Sequence, residues 1–211
     1  MKAVHRYICR KFNIEYISIP KAACSTIKEA ILRTDNQDIP ADADELLALD
    51  NIHHHPWWFR PVTVEPHFRF TFVRNPYARL VSCYTGIVQT GWSSRAMGVP
   101  LPAHWTFAKF ASWAMTQWIA NQHYAPQSSI LNDIFVDFCG TVENIRTDWA
   151  TLQDRFSGLH DLGHANASAT RPSDWHDLYD AETLAMATDY FASDLDRWPF
   201  YAEPSLTQNI Q

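Results

Sequence analysis

Two positively charged side chains stand directly after predicted β-strands, where their chemistry suits an anionic ligand. Lys21 follows an alternating stretch, residues 15–19, that ends at Pro20. Arg74 follows residues 68–73, which are aromatic and β-branched as strands prefer. The chain carries a formal net charge of −6, so an anion must be met by a few local basic residues. The positions of Lys21 and Arg74 therefore indicate where such an anion would bind.

The first of these segments predicts a strand, a tight loop and a helix. Such a junction offers free backbone N–H groups and the positive end of a helix dipole to an anion. The loop adds the Lys21 ammonium and the hydroxyls of Ser25 and Thr26. It has no glycine and its lysine comes first, unlike the nucleoside-triphosphatase pattern GxxxxGK(S/T), so Mg²⁺ is not expected. Taken alone, the segment is equally compatible with a surface turn that carries an incidental lysine.

The second segment, residues 70–84, places an arginine at a strand end and a serine two turns into the next helix. Asn75 at the N-cap and Pro76 at the first helical position predict where that helix begins. The Arg74 guanidinium can bind a phosphate through two hydrogen bonds, and the Ser82 hydroxyl can add a third. The alternative is that Arg74 pairs with a carboxylate.

Together the two segments resemble the PAPS-dependent sulfotransferases (PAPS is 3′-phosphoadenosine-5′-phosphosulfate), in particular the carbohydrate (type 2) family. Residues 20–26 are similar to that family's PKxxxTS-like loop, with Ala-Ala-Cys where many members carry Gly or Thr, and residues 74–84 match RNPxxRLVSxY. Residues 123–127 resemble its HWxPQ segment, and residues 137–144 resemble DFIGxxEN. The resemblance runs from about residue 14 to 203 and is weakest at 34–65 and 91–105, where acceptor recognition is expected to diverge.

This resemblance implies a role for each motif residue. Lys21 would neutralise charge on the leaving phosphate, while Arg74 and Ser82 would bind the 3′-phosphate. Arg171, in a polar segment before the last predicted helix, is a secondary phosphate candidate, although a solvated loop arginine is an equal alternative. Backbone N–H groups would hold the 5′-phosphate, with the two hydroxyls as weaker ligands; this set comprises Ala22, Ala23, Cys24, Ser25 and Thr26.

Sulfuryl transfer to a hydroxyl needs a general base, and histidine is the usual choice near neutral pH. The run 53–55 is three consecutive histidines, in an interval where some carbohydrate sulfotransferases place a catalytic histidine. We expect His53 first and His55 second, because alternation in an extended segment sends both the same way. A metal site, plain loop residues, His123 or a carboxylate are the alternatives; the carboxylates are Glu65 and Glu143.

The predicted elements alternate between strands and helices, which indicates an α/β fold with a mainly parallel central sheet flanked by helices. With the resemblance, this becomes a three-layer P-loop-like fold in one sulfotransferase domain, residues 1–211. A third strand is expected at 134–138, closed by Gly140. Helical stripes at 145–156 and 184–195 predict two further helices, the second capped by Asp180.

The amino-acid composition limits the class of protein to which the chain can belong. Hydrophobic residues make up 46% and charged residues 19%, which indicates a globular chain, and the negative charge argues against nucleic-acid binding. Of the four cysteines, Cys83 and Cys139 lie in apolar runs and are expected to be buried. The N-terminus shows neither a signal peptide nor an anchor, so we expect a cytoplasmic enzyme without stable membrane insertion. The oligomeric state is not indicated.

The expected activity is transfer of the PAPS sulfuryl group to a hydroxyl, with a carbohydrate as the expected acceptor and no metal. One rival is a small-molecule kinase on a P-loop-like fold, which would need Mg²⁺. Another is a non-catalytic nucleotide-binding module, whose biological output would not depend on Lys21.

Overall fold

The chain passes three times between two structural units. The structure is a computed structural model, and it describes residues 5–35, 67–89, 101–102, 104–117, 121–163 and 174–202. Met1–Arg74 and Asp133–Ala169 form the first unit, and Asn75–Asn132 and Thr170–Gln211 form the second. Each unit is therefore built from two separate stretches of sequence.

A four-stranded sheet forms the first unit, in the order β1-β2-β3-β4. The strands are β1 (Arg6–Cys9), β2 (Ile14–Ile17), β3 (Phe68–Val73) and β4 (Phe138–Thr141). β1 and β2 pair as an antiparallel hairpin, whereas β2 with β3 and β3 with β4 pair in parallel. The predicted α/β class with a mainly parallel sheet is confirmed.

One face of this sheet packs against two helices, α1 (Cys24–Asp35) and α5 (Ile145–Arg155). Tyr16 and Phe70, paired across β2 and β3, stack with ring centroids 5.2 Å apart. Ile27 of α1 and Trp149 of α5 belong to the same buried cluster. The helices can pack on one face because side chains alternate along a strand, so every second strand residue points toward them. The predicted stripe on residues 145–156 is thus the buried face of α5.

Two strands differ from their predicted positions. β4 begins at Phe138 rather than at residue 134, and Phe135 is 70% exposed. Gly140 lies inside β4 and does not end it. A Cβ at this position would lie 2.5 Å from the Phe72 ring, so the two strands pack closely there. β1 was not predicted; its hairpin turns through Asn13, whose φ of 53° is left-handed.

The second unit is helical among its described residues. Its helices are α2 (Pro76–Tyr84), α3 (Phe107–Thr116), α4 (Gln127–Leu131), α6 (Ala181–Tyr190) and α7 (Ala192–Arg197). A π-helical turn, Thr85–Gln89, continues α2, and 3₁₀ turns lie at Trp175–Leu178 and Pro199–Tyr201. The predicted caps are confirmed: Asn75 accepts hydrogen bonds from the amides of Tyr77 and Ala78, and Asp180 accepts one from Thr183.

Aromatic side chains fill the core of the second unit. Tyr77 stacks on Trp175 with centroids 5.1 Å apart, and Phe107 meets Tyr179 edge-on at 4.7 Å. Cys83 is fully buried, as expected. In the first unit, by contrast, Cys139 is exposed, so the expectation for that residue was wrong. Its neighbours in sequence are apolar, but it lies on the outermost strand of the described sheet and on the face opposite that of Phe138 and Gly140.

Candidate functional site

The loop between β2 and α1, residues 18–23, has an unusual backbone; we name it the Lys21 loop. Lys21 has a φ of 66° and Ala23 has a φ of 56°. Both values lie in the left-handed region, which residues with a Cβ seldom occupy. Such conformations persist where surrounding contacts hold them, and they are concentrated at functional sites.

Two backbone hydrogen bonds shape the passage from this loop into α1. Ala22 N–H donates to Ile19 O at 3.2 Å, which tightens the loop. The α-helical ladder opens with Ile27 N–H donating to Ala23 O at 3.1 Å. In α-helices generally, the first amides come before the carbonyls of the helical ladder. Together with the helix dipole they form a suitable environment for an anion.

Arg74 brings the second motif to the same place in the first unit. It follows the last residue of β3, and its Nη1 donates to the carbonyl oxygen of Lys21 at 3.2 Å. The parallel register, with Ile17 opposite Thr71, places the ends of β2 and β3 at one edge of the sheet. The Arg74 guanidinium and the backbone of Lys21, from distant parts of the sequence, therefore lie together at that edge.

Beside Arg74, the residues after β4 form a tight turn at the same sheet edge. Val142 N–H donates to Val73 O at 2.8 Å. The Asp148 carboxylate accepts hydrogen bonds from Thr141, from its amide at 2.7 Å and its hydroxyl at 3.1 Å. This turn carries the exposed Glu143, one of the two carboxylates named as alternative bases.

In the second unit, Ser82 lies half-buried on α2, and Arg79 on the same helix is fully buried. Arg79 donates to Ala125 O through Nη1 and to Gln122 O through Nη2, each at 2.7 Å. Both bonds are to backbone carbonyls of one segment, residues 122–125. Arg79 thus anchors the segment that resembles HWxPQ.

His123 lies within that anchored segment. Asn121 Oδ1 accepts a hydrogen bond from the His123 amide at 3.0 Å and lies 2.7 Å from Nδ1 of the ring. Because this oxygen can only accept, Nδ1 carries the proton and Nε2 is the basic nitrogen. Burial raises the pKa of the neighbouring Tyr124 hydroxyl to about 12, so that phenol stays neutral.

Comparison with models of protein families gives a match. The model of the sulfotransferase family matches residues 4–196, which covers both units. The chain belongs to the sulfotransferase family. No curated protein and no solved structure matches it. The sulfotransferase assignment implies a transferase that moves a sulfuryl group, and members of the family generally use PAPS as the sulfate donor.

Three predicted site residues of this sulfotransferase lie outside the described residues: His53, His55 and Arg171. The same is true of the alternative base Glu65. Within the described part of the chain, no group of three or more His, Cys, Asp or Glu side chains could hold a metal ion. None of the helices there is long and apolar enough to cross a membrane.

Two supporting residues of the sulfotransferase were missed in the sequence. Asp148 holds the turn after β4, and Asn121 fixes the ring of His123. A signal existed for Asp148, since an acidic residue in the first turn of a helix commonly bonds amides there. Asn121 carried a weaker signal, because an Asx side chain often accepts from the amide two residues on. The left-handed Lys21 had none, since no glycine marks it.

Proposed function

We propose that this sulfotransferase moves the sulfuryl group of PAPS to a hydroxyl group, with a carbohydrate as the acceptor class. The observation that carries the proposal is the 3.2 Å hydrogen bond from Arg74 to the Lys21 carbonyl, which brings the two cationic motifs together. PAPS carries phosphoryl groups on both its 3′ and 5′ positions. Two adjoining cationic motifs at one sheet edge suit such a ligand.

The chemical step needs charge relief at the 5′ end of the donor. The acceptor oxygen forms a bond to sulfur as the bond from sulfur to the 5′-phosphate oxygen breaks, and the electron pair stays with that phosphate. In our proposal the Lys21 ammonium offsets this charge, and the amides at the start of α1 hold the phosphate. The Ser25 and Thr26 hydroxyls, half-buried in the first helical turn, add weaker bonds.

The 3′ end of the donor distinguishes PAPS from nucleotides that lack the second phosphate. Arg74 is the principal ligand that we propose for this group, because its fork of donors matches phosphate oxygens. Ser82 adds a neutral hydrogen bond, and Arg171 is the secondary cation. Adenosine 3′,5′-bisphosphate is then the product that remains after transfer.

The acceptor hydroxyl must give up its proton to a base. We propose His53 first and His55 second for this task. His123 is the alternative that gains support from local geometry, since its Nε2 is the basic nitrogen. Full turnover in both His53→Ala and His55→Ala would rule out the triplet, and His123→Gln would then be the next variant to assay.

We also propose that residues 1–211 act as one domain with a three-layer, P-loop-like arrangement. The strand–loop–helix at residues 14–35 supports the P-loop-like part, since the loop lies between β2 and α1. The family match supports the single domain, because residues 4–196 include stretches of both units.

Calorimetry tests the nucleotide assignment directly. Adenosine 3′,5′-bisphosphate should bind without added metal, and ATP with Mg²⁺ should bind much more weakly. Tight binding of the ATP complex together with no binding of the bisphosphate would favour a kinase and reject the proposal.

Transfer of labelled sulfate from PAPS across a panel of acceptors tests the reaction. Label should move to at least one hydroxyl-bearing carbohydrate, with equimolar release of adenosine 3′,5′-bisphosphate. Nucleotide binding without transfer to any acceptor, and an unchanged biological output for Lys21→Ala, would point to a non-catalytic module.

A further inference from the structure

The peptide group between Lys21 and Ala22 is held at both of its ends. Its carbonyl oxygen accepts the hydrogen bond from Arg74 at 3.2 Å. Its N–H, on Ala22, donates to Ile19 O, also at 3.2 Å. Because a peptide group is planar, fixing both polar ends fixes its orientation. That orientation in turn restrains the backbone from which the Lys21 side chain extends.

This restraint acts where the backbone needs it. Lys21 and Ala23 flank Ala22, and both have left-handed φ angles, 66° and 56°. Residues with a Cβ leave this region unless contacts hold them there. The bond from Arg74 comes from a different strand, so it ties the loop to the sheet as well as to itself.

Arg74 is well placed to serve as a fixed point. β3 is paired on both sides, with β2 and with β4, and Val73 is fully buried. A guanidinium has five N–H donors in a rigid fork, and the bond to Lys21 O uses one donor of Nη1. The shape of this fork allows an arginine to bond a carbonyl oxygen and a phosphate at the same time.

We propose that Arg74 is a positioning residue for Lys21, in addition to being a ligand of the 3′-phosphate; this rests on the proposed function. The group that binds one end of the donor thereby sets the loop that binds the other end. A donor without the 3′-phosphate would leave Arg74 less constrained, and transfer would slow as well as affinity fall. Selection for the 3′-phosphate would then appear in kcat as well as in KM.

Amide hydrogen exchange in the ligand-free protein tests the positioning role without any assumption about the reaction. In Arg74→Gln, the Ala22 amide should exchange about tenfold faster than in the wild type, as expected for the loss of one hydrogen bond. The matched control is Arg69→Gln, which removes a guanidinium from the other end of β3, where it pairs with Glu15 at 2.9 Å. Equal Ala22 exchange in the wild type and Arg74→Gln would overturn the proposal.

Binding of AMP, which has the 5′-phosphate but no 3′-phosphate, tests the consequence for the donor. Arg74→Gln should weaken AMP by about tenfold, whereas Arg69→Gln should leave AMP affinity within about twofold. If Arg74→Gln weakens adenosine 3′,5′-bisphosphate alone and binds AMP as the wild type does, the proposal is wrong.

The conservative variant separates the two tasks of the side chain. Arg74→Lys can reach one acceptor but not two, so it should recover bisphosphate affinity more than it recovers protection of the Ala22 amide. It also takes the place of Arg74→Gln should that variant fail to fold. A wild-type protein that binds neither nucleotide, with exchange still faster in Arg74→Gln, would reject the proposed function and leave the positioning role standing.

Discussion

At the level of single residues, most of the proposed donor set around the 5′-phosphate is backbone. The amides at the start of α1 depend on the fold of the Lys21 loop and not on side-chain identity. Lys21 is the charged side chain of that loop, and the two residues that follow it there are Ala22 and Ala23. Catalysis and binding should therefore respond differently when this lysine is replaced.

We predict that Lys21→Ala lowers kcat by about 100-fold or more while the affinity for adenosine 3′,5′-bisphosphate falls by less than about tenfold. The reason is that the ammonium meets charge that develops during transfer, whereas the amides and Arg74 hold the ground-state ligand. Sulfate-transfer kinetics and calorimetry on one preparation would measure both. An unchanged kcat together with weaker binding of the bisphosphate would show that Lys21 only binds.

The cysteines offer a second test at this scale. Burial raises the pKa of the Cys9 thiol to about 12, and the nearby Asp35 carboxylate acts in the same direction. Cys9 should therefore remain a protonated, unreactive thiol, while the exposed Cys139 reacts. We predict that iodoacetamide at pH 8 labels Cys139 in the native protein and Cys9 only after unfolding, as read by mass spectrometry.

The same shift gives a pH dependence with a defined sign. A thiol in the unfolded chain titrates near 8.5, so above that pH the unfolded state loses a proton that folded Cys9 retains. The contribution of Cys9 to the free energy of unfolding is complete below about pH 8.5 and is lost as pH rises toward 12. A Cys9→Ala variant should show a weaker decline over this range; an identical decline would place its origin elsewhere.

At the level of elements, the sequence was most informative where a cap and a stripe agree. Asn75, Pro76 and the following apolar positions located α2, and the bounds of β3 were also predicted correctly. Prediction from the sequence failed where hydrogen bonding between neighbouring strands decides the structure. β4 begins where Asp137 N–H donates to Arg69 O at 2.7 Å, and no local pattern reveals that partner. Likewise, β1 exists because Tyr7 and Cys9 are buried against helices that come later in the chain.

For the candidate site, the residue types could be predicted from the sequence, but the contacts that hold those residues in place could not. Lys21 and Arg74 stand out because each places a positive charge directly after a predicted strand in a chain of net charge −6. The bond between Arg74 and the Lys21 carbonyl joins residues 53 positions apart, which only the sheet order brings together. The left-handed backbone of Lys21 is likewise a tertiary effect.

Gly140 provides a prediction at the element scale. A Cβ at this position would lie 2.5 Å from the Phe72 ring, which is itself packed against Phe70 and Trp149. Gly140→Ala should lower the free energy of unfolding by about 1–3 kcal/mol, because the buried ring has little room to move. Urea denaturation would measure it.

The neighbouring exposed residue gives the control for this variant. Cys139→Ala, on the same strand, should change stability by less than about 0.5 kcal/mol. Phe72→Leu should recover part of the loss in the Gly140→Ala background, since it removes the clashing ring atoms. If Gly140→Ala is as stable as Cys139→Ala, the close packing of β4 on β3 is wrong.

At the level of the whole molecule, the two units are interleaved in sequence. The first unit needs β4 and α5 from residues 133–169 to complete its sheet and core, and the second needs residues 170–211. No single cut would release either unit as a continuous segment. This interleaving supports the proposal that the chain acts as one sulfotransferase domain.

Ligand binding should therefore appear as a gain in the stability of the whole protein. At a concentration of 100 times its Kd, adenosine 3′,5′-bisphosphate adds about 2.7 kcal/mol to the free energy of unfolding. For a chain of this size that raises Tm by roughly 5–11 °C.

Scanning calorimetry should show this rise in Tm without metal, whereas Arg74→Ala should lose most of it at the same ligand concentration. Ser82→Ala should lose a smaller part, because a neutral hydroxyl binds phosphate less strongly than a guanidinium. A wild-type Tm that the bisphosphate leaves unchanged, but that ATP with Mg²⁺ raises, would mean that the cationic edge of the sheet binds a different nucleotide.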